Sequence, residues 1–115
     1  MYDIDMELHQ RDWRRSLVRP LSLFIVEKFG ATHGYGIAAR LEELGMGLIP
    51  SGTLYPILRK LEDEARLSSA WTAGDGGPGR KVYTITKSGI SELRDFEHAW
   101  KQISTSVDGV TGDGM

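Results

Sequence analysis

Arg80 and Lys81 are adjacent cations that follow the glycine-rich stretch Gly76-Gly77-Pro78-Gly79 and lead into the run Val82-Tyr83-Thr84-Ile85-Thr86. Earlier in the chain, Ser51, Gly52, Thr53 and Tyr55 stand at the front of an apolar helical repeat. The chemistry open to these groups is non-covalent. Cations meet phosphate oxygens, hydroxyls donate to phosphates or reach base edges, and small residues let the front of a helix approach closely with its amides toward an anion. A helix front able to enter a major groove, beside a basic hairpin, is the working end of a winged helix-turn-helix that binds duplex DNA. The blander alternatives are a capped core helix and a solvated hairpin.

Other chemistries find little support. The GDGGPGRK loop (74–81) resembles a phosphate-cradling loop only superficially, because that motif needs Lys followed by Ser or Thr at the opening of a helix. His9, His33 and His98 are far apart, and none has a second ligand at helical metal spacing. Glu42, Glu43, Glu62, Asp63 and Glu64 read as solvated helix faces, and no nucleophile motif is present. With no cysteine, a disulfide framework or thiolate metal site is unavailable. The expectation is a protein that is not an enzyme and uses no cofactor or metal.

The elements that must position these groups follow from periodicity and punctuation. A polar amphipathic helix is expected from Met6 to Ser16, with Leu8 and Trp13 among charges. Pro20 then either opens the next helix or kinks a longer one. The run LSLFIVEKF (21–29) is apolar on nearly every side and predicts a helix buried against several neighbours, stopped by Gly30. A second helix is predicted from a Thr32 cap to about Leu44, with Ile37, Leu41 and Leu44 on one face and Gly45 closing it. The third is capped by Ser51 or Thr53 and carries Leu54, Ile57, Leu58 and Leu61; Pro56 favours a start near Thr53. Strands are expected at Leu67–Thr72 and Lys81–Thr86. Thr86 or Ser88 then caps a last helix running to about Ser106, with apolar positions Ile90, Leu93, Phe96, Trp100, Ile103 and Val107. That stripe is too long for so small a wing to cover, and its spacing suits a dimer interface or packing on the N-terminal helix. At a two-fold axis Trp100 would wall an aromatic pocket for a flat ligand.

The whole is mainly α with a small β-hairpin: an N-terminal helical arm (1–19), a winged helix-turn-helix DNA-binding domain (20–87), a C-terminal dimerisation helix (88–107) and a disordered tail (108–115). A chain of 115 residues, 40% hydrophobic and 26% charged, fits one modest globular domain. No apolar run reaches the roughly 20 residues of a membrane span, and the acidic start is unlike a secretory signal, so a cytoplasmic, membrane-free location is expected. The net charge of −2 sits awkwardly with DNA binding. However, the segment from Trp71 to Lys87 sets Arg80, Lys81 and Lys87 against Asp75 alone, so the excess of positive charge is local. A winged-helix module that binds protein instead of DNA is the alternative that the acidic balance supports.

Three blocks, HGYGIAARL (33–41), SGTLYPILRKLE (51–62) and GGPGRKVYTITKSG (76–89), resemble in order and spacing the PadR-like family of bacterial transcriptional regulators, short subfamily with a single C-terminal helix. The resemblance runs from about Leu21 to Trp100. It implies a homodimeric repressor that binds an inverted repeat in a promoter. It implies DNA contacts by Tyr35, Ser51, Thr53 and Tyr55, with Lys60 further along, and wing contacts by Arg80 and Lys81. It also implies pairing of the last helix with the partner's N-terminal helix. Some relatives release DNA on binding phenolic acids or flat aromatic drugs, stacked in some on a tryptophan placed like Trp100. Two positions depart from the pattern: Ala65 stands where a glycine usually closes the recognition helix, and Pro20 is unusual in the first core helix.

Overall fold

A computed structural model describes residues 13–74 and 76–112. Trp13–Leu17 form a 3-10 turn, followed by α1 (Val18–Phe29), β1 (Thr32–His33), α2 (Gly34–Leu41), a wide turn (Glu42–Met46), α3 (Ser51–Asp63), β2 (Leu67–Thr72), β3 (Arg80–Ile85) and α4 (Lys87–Thr111). The fold is mainly helical with a three-stranded antiparallel sheet in the order β1-β3-β2, a winged helix-turn-helix. The hairpin is thus widened by a strand that the sequence reading lacks. Thr32 pairs with Tyr83 and His33 with Val82, so Thr32 is a strand residue and His33 caps α2 in its place.

Helix α1 is central, as its all-round apolar sequence predicts. Val18, Leu23, Ile25 and Val26 are buried and pack with Ile37 and Leu41 of α2, Leu54, Leu58 and Leu61 of α3, Leu67, Tyr83 and Leu93. Pro20 falls in the first turn of α1, where a missing amide breaks no helical hydrogen bond, so it opens the helix without kinking it. Most of the expected Met6–Ser16 helix, Leu8 included, lies outside the described residues. Its last part is the 3-10 turn, with the Ser16 hydroxyl donating to the Trp13 carbonyl at 2.6 Å.

Several boundaries differ from expectation. Regular helix α2 stops at Leu41, the following turn is broken by Gly45 at φ 92°, and Leu44 is half exposed. Helix α3 begins at Ser51, after Pro50, and no side chain caps it. Pro56 therefore sits inside the helix; its absent amide deprives only the Gly52 carbonyl, on the exposed face. Helix α4 continues through Asp108–Thr111, residues expected in a disordered tail. Val110 extends the apolar stripe by another turn, and the Thr111 hydroxyl donates to the Val107 carbonyl at 2.9 Å.

The end of α3 explains how Ala65 is tolerated. Arg66 N donates to Leu61 O at 2.8 Å and Ala65 N to Glu62 O at 2.9 Å, the paired bonds of a Schellman close, with Ala65 at φ 61°. The Thr86 and Ser88 hydroxyls hold the Ala65 carbonyl at 2.6 and 2.8 Å, pinning the turn against the start of α4. A left-handed alanine costs about 1–2 kcal/mol, and glycine returns part of that gain through its freer unfolded chain. Ala65→Gly should therefore stabilise the fold by about 0.5–1 kcal/mol, read as a higher urea midpoint at constant m-value. A lower midpoint would mean the conformation carries no strain.

A charged cluster fastens the same region. Arg19 donates to both oxygens of Glu92 at 2.7 and 2.9 Å and reaches Glu64 at 2.6 Å, while Arg66 adds a bond to Glu92 at 3.0 Å. Glu64 is therefore committed to a partner and is not merely a solvated face. Hydrogen bonds from Arg19, joined by Arg66, hold the Glu92 carboxyl below its ordinary value of 4.5. As pH falls the unfolded chain takes up this proton first. The cluster's stabilisation is present above the unfolded value and is lost as pH drops through the folded one. Urea midpoints should thus fall more steeply below about pH 4.5 in the native chain than in Glu92→Gln. Parallel decline in both would remove Glu92 from the acid response.

Candidate nucleic-acid interface

Helix α3 buries Leu54, Leu58 and Leu61, which turns Ser51, Gly52, Tyr55, Arg59 and Lys60 outward, with Thr53 half-buried at the edge. Thr53 N and Leu54 N both donate to the Pro50 carbonyl at 2.9 and 3.0 Å. The helix thus starts on a backbone turn, and neither the Ser51 nor the Thr53 hydroxyl is consumed as a cap. The Tyr55 ring lies against the start of α2, where a Cβ on Gly34 would come within 2.6 Å of it. Glycine at position 34 of the HGYG motif thus leaves room for the Tyr55 ring. Tyr35 follows, 78% exposed and stacked on His33 with ring centroids 6.2 Å apart.

The wing is β2 and β3 joined by residues 73–79. Its two adjacent cations stand where β3 begins, paired with Thr72 and Trp71, at the foot of the loop and not at its tip. They also differ in what they touch. Arg80 is exposed, with Nη1 3.4 Å from His33 Nε2. Lys81 instead turns to α3 and meets Glu62 at 2.8 Å, while the Ser69 hydroxyl donates to the other Glu62 oxygen. Bonds from Lys81, then Ser69, keep the Glu62 carboxyl below its ordinary range, and Glu62 raises Lys81 in return. Reading Glu62 as a solvated face missed this clasp between helix and wing.

Between α3 and the wing lies a cleft of about 430 Å³ lined by His33, Tyr55, Arg59, Trp71, Arg80 and Tyr83, among others. Neither Arg59 nor His33 is among the DNA contacts expected from the sequence. Arg59 was recoverable, since it lies one turn beyond Tyr55 on the face opposite the leucines. Among the described residues no group of three or more His, Cys, Asp or Glu could hold a metal ion, and no helix is long and apolar enough to cross a membrane.

At the other end, the residues assigned to a dimer face divide. Leu93 is fully buried in the chain's own core, and Ile90 and Phe96 are half-buried, because α4 packs on α1 over this stretch. Beyond it Trp100, Ile103, Val107 and Val110 are 46, 59, 51 and 77% exposed. Trp100 leans on Phe96 (centroids 5.8 Å) and, with Trp13, Leu17, Leu21 and Met46, lines an apolar cleft of about 350 Å³.

A helix pair, a recognition helix with an open polar front and a basic wing define the winged-helix class of transcriptional regulators. Residues 23–95 match the family described as "Transcriptional regulator PadR-like family". The chain belongs to that family, which consists of regulators and not enzymes. It is 31% identical over 99 residues to the transcriptional regulator Rv3488 of Mycobacterium tuberculosis, covering 86% of this chain and 90% of that one. Among solved structures it resembles smu.1704 of Streptococcus mutans (TM-score 0.77, 32% identity, 88% of this chain and 92% of that one). It also resembles Bacillus subtilis PadR, solved in complex with operator DNA (TM-score 0.63, 33% identity), over 70% of this chain and 46% of that longer one.

Proposed function

We propose that this protein is a homodimeric, DNA-binding repressor that recognises an inverted repeat in a promoter. The observation that carries the reading is the cationic cleft between α3 and the wing, beside the exposed Tyr35 and the front of α3, whose hydroxyls are not used as caps. Phosphate contacts from Arg59, Lys60 and Arg80 supply affinity. Ser51, Gly52, Thr53 and Tyr55 approach base edges, with sequence read at this front. The operator complex of Bacillus subtilis PadR supports the same use of the fold. Two copies joined along the exposed stripe of α4 set their recognition helices about one DNA turn, roughly 34 Å, apart.

The test is a salt titration of binding to a labelled duplex of the protein's own upstream promoter beside a scrambled duplex. Tighter binding to the promoter, with log K falling by about 0.9 per neutralised phosphate for each decade of salt, supports the reading. Binding to neither at low salt sinks it in favour of a protein partner. A planar aromatic effector would suit the apolar cleft, and its binding should quench tryptophan fluorescence in the native chain but not in a variant with both Trp13→Phe and Trp100→Phe, the two tryptophans that line it. Quenching that survives both substitutions places the ligand elsewhere.

A further inference from the structure

In the cleft between α3 and the wing, the Arg80 guanidinium and the His33 imidazole face each other. His33 Nδ1 accepts the Gly36 amide at 3.1 Å as the cap of α2, so that nitrogen keeps its lone pair. The neutral imidazole then carries its proton on Nε2. Nε2 lies 3.4 Å from Arg80 Nη1, and a guanidinium has only donors to offer. The pair therefore lacks an acceptor, and the acceptor that satisfies both is an anionic oxygen lying against the two N–H groups.

We infer that His33 Nε2–H and the Arg80 guanidinium form a clamp for one phosphate oxygen. The clamp rests on the DNA-binding reading for its main source, a backbone phosphodiester; free phosphate offers the same oxygen. The site is preorganised. His33 is held by its cap bond and by β1, which pairs it with Val82, and Arg80 begins the neighbouring strand. Arg59 adds positive charge across the cleft, and the Glu62 carboxylate is taken up by Lys81 and Ser69. His33 is thereby a positioning and binding residue whose role is separable from its cap, since asparagine caps equally well but has no donor at that reach.

The experiment replaces single phosphates of the promoter duplex by neutral methylphosphonates and measures binding of the native chain, His33→Asn and Arg80→Gln. One position in each half-site should weaken the native chain by about tenfold and be nearly silent in both variants. Equal sensitivity at every position in all three proteins overturns the clamp while leaving DNA binding intact. In a second arm, the imidazole ¹⁵N–¹H signals are followed while inorganic phosphate is added, with His33 assigned by its loss in His33→Asn. If the native chain binds no duplex, a phosphate-dependent His33 shift that Arg80→Gln abolishes upholds the clamp as a free-anion site. No shift then overturns it together with the DNA reading. Unchanged thermal melting of Arg80→Gln, whose side chain is exposed, excludes misfolding as the cause of any loss.

Discussion

Replacing Arg59 and Arg80 together by alanine should weaken binding to every duplex, specific or scrambled, and flatten the dependence of log K on log salt by about 1.8 per protomer. Both cations border the cleft between recognition helix and wing, and both are exposed. On the proposed reading each should neutralise a phosphate without first giving up a carboxylate partner. Lys81 is expected to behave differently, since it already meets Glu62 at 2.8 Å. Lys81→Ala would leave a bare carboxylate beside the phosphates, so adding Glu62→Gln should restore part of the lost affinity. Anisotropy titrations across a salt series measure all of these. An unchanged slope in the double arginine variant would remove the cleft from the phosphate-binding surface, and no rescue by Glu62→Gln would show that the clasp opens on DNA.

The second large effect concerns assembly. Ile103→Asp with Val107→Asp should convert the protein to monomers and lower its affinity for a two-half-site duplex by about 100-fold or more, because each half-site then binds without the other's effective concentration. These side chains are 59 and 51% exposed and support nothing in the chain's own core, so the fold should survive. Burying two carboxylates against an apolar partner helix is strongly unfavourable. Sedimentation gives the mass and circular dichroism the helix content. A dimer that persists with both aspartates present would move the interface off this stripe.

How far the sequence foretold these surfaces depended on whether a residue's environment is local. Strand β2 falls at Leu67–Thr72, where the sequence places it, and Thr86 caps α4 by accepting the Gly89 amide at 3.0 Å. The leucines of α3 point inward at the spacing that marks them. What escaped was set by neighbours distant in sequence. A strand of two residues, β1, is too short to show alternation and exists because β3 lies beside it. Leu93 has the same type and spacing as Trp100, and only the docking of α4 on α1 separates core from exposed stripe. Lys81 looks like its neighbour Arg80 until Glu62 arrives from α3. Ala65 was different: the missing glycine pointed to a left-handed turn, and φ is 61° there.

The clasp that joins Lys81, Glu62 and Ser69 makes α3 and the wing a caliper with pinned jaws. If the clasp stays closed on DNA, the duplex should bend or narrow to meet it. Flanking base pairs that no side chain reaches would then be ranked by how cheaply they deform. Stiff and pliant flanks around one core site would bind with different affinity, and loosening the pin would make the protein a more forgiving reader of DNA shape.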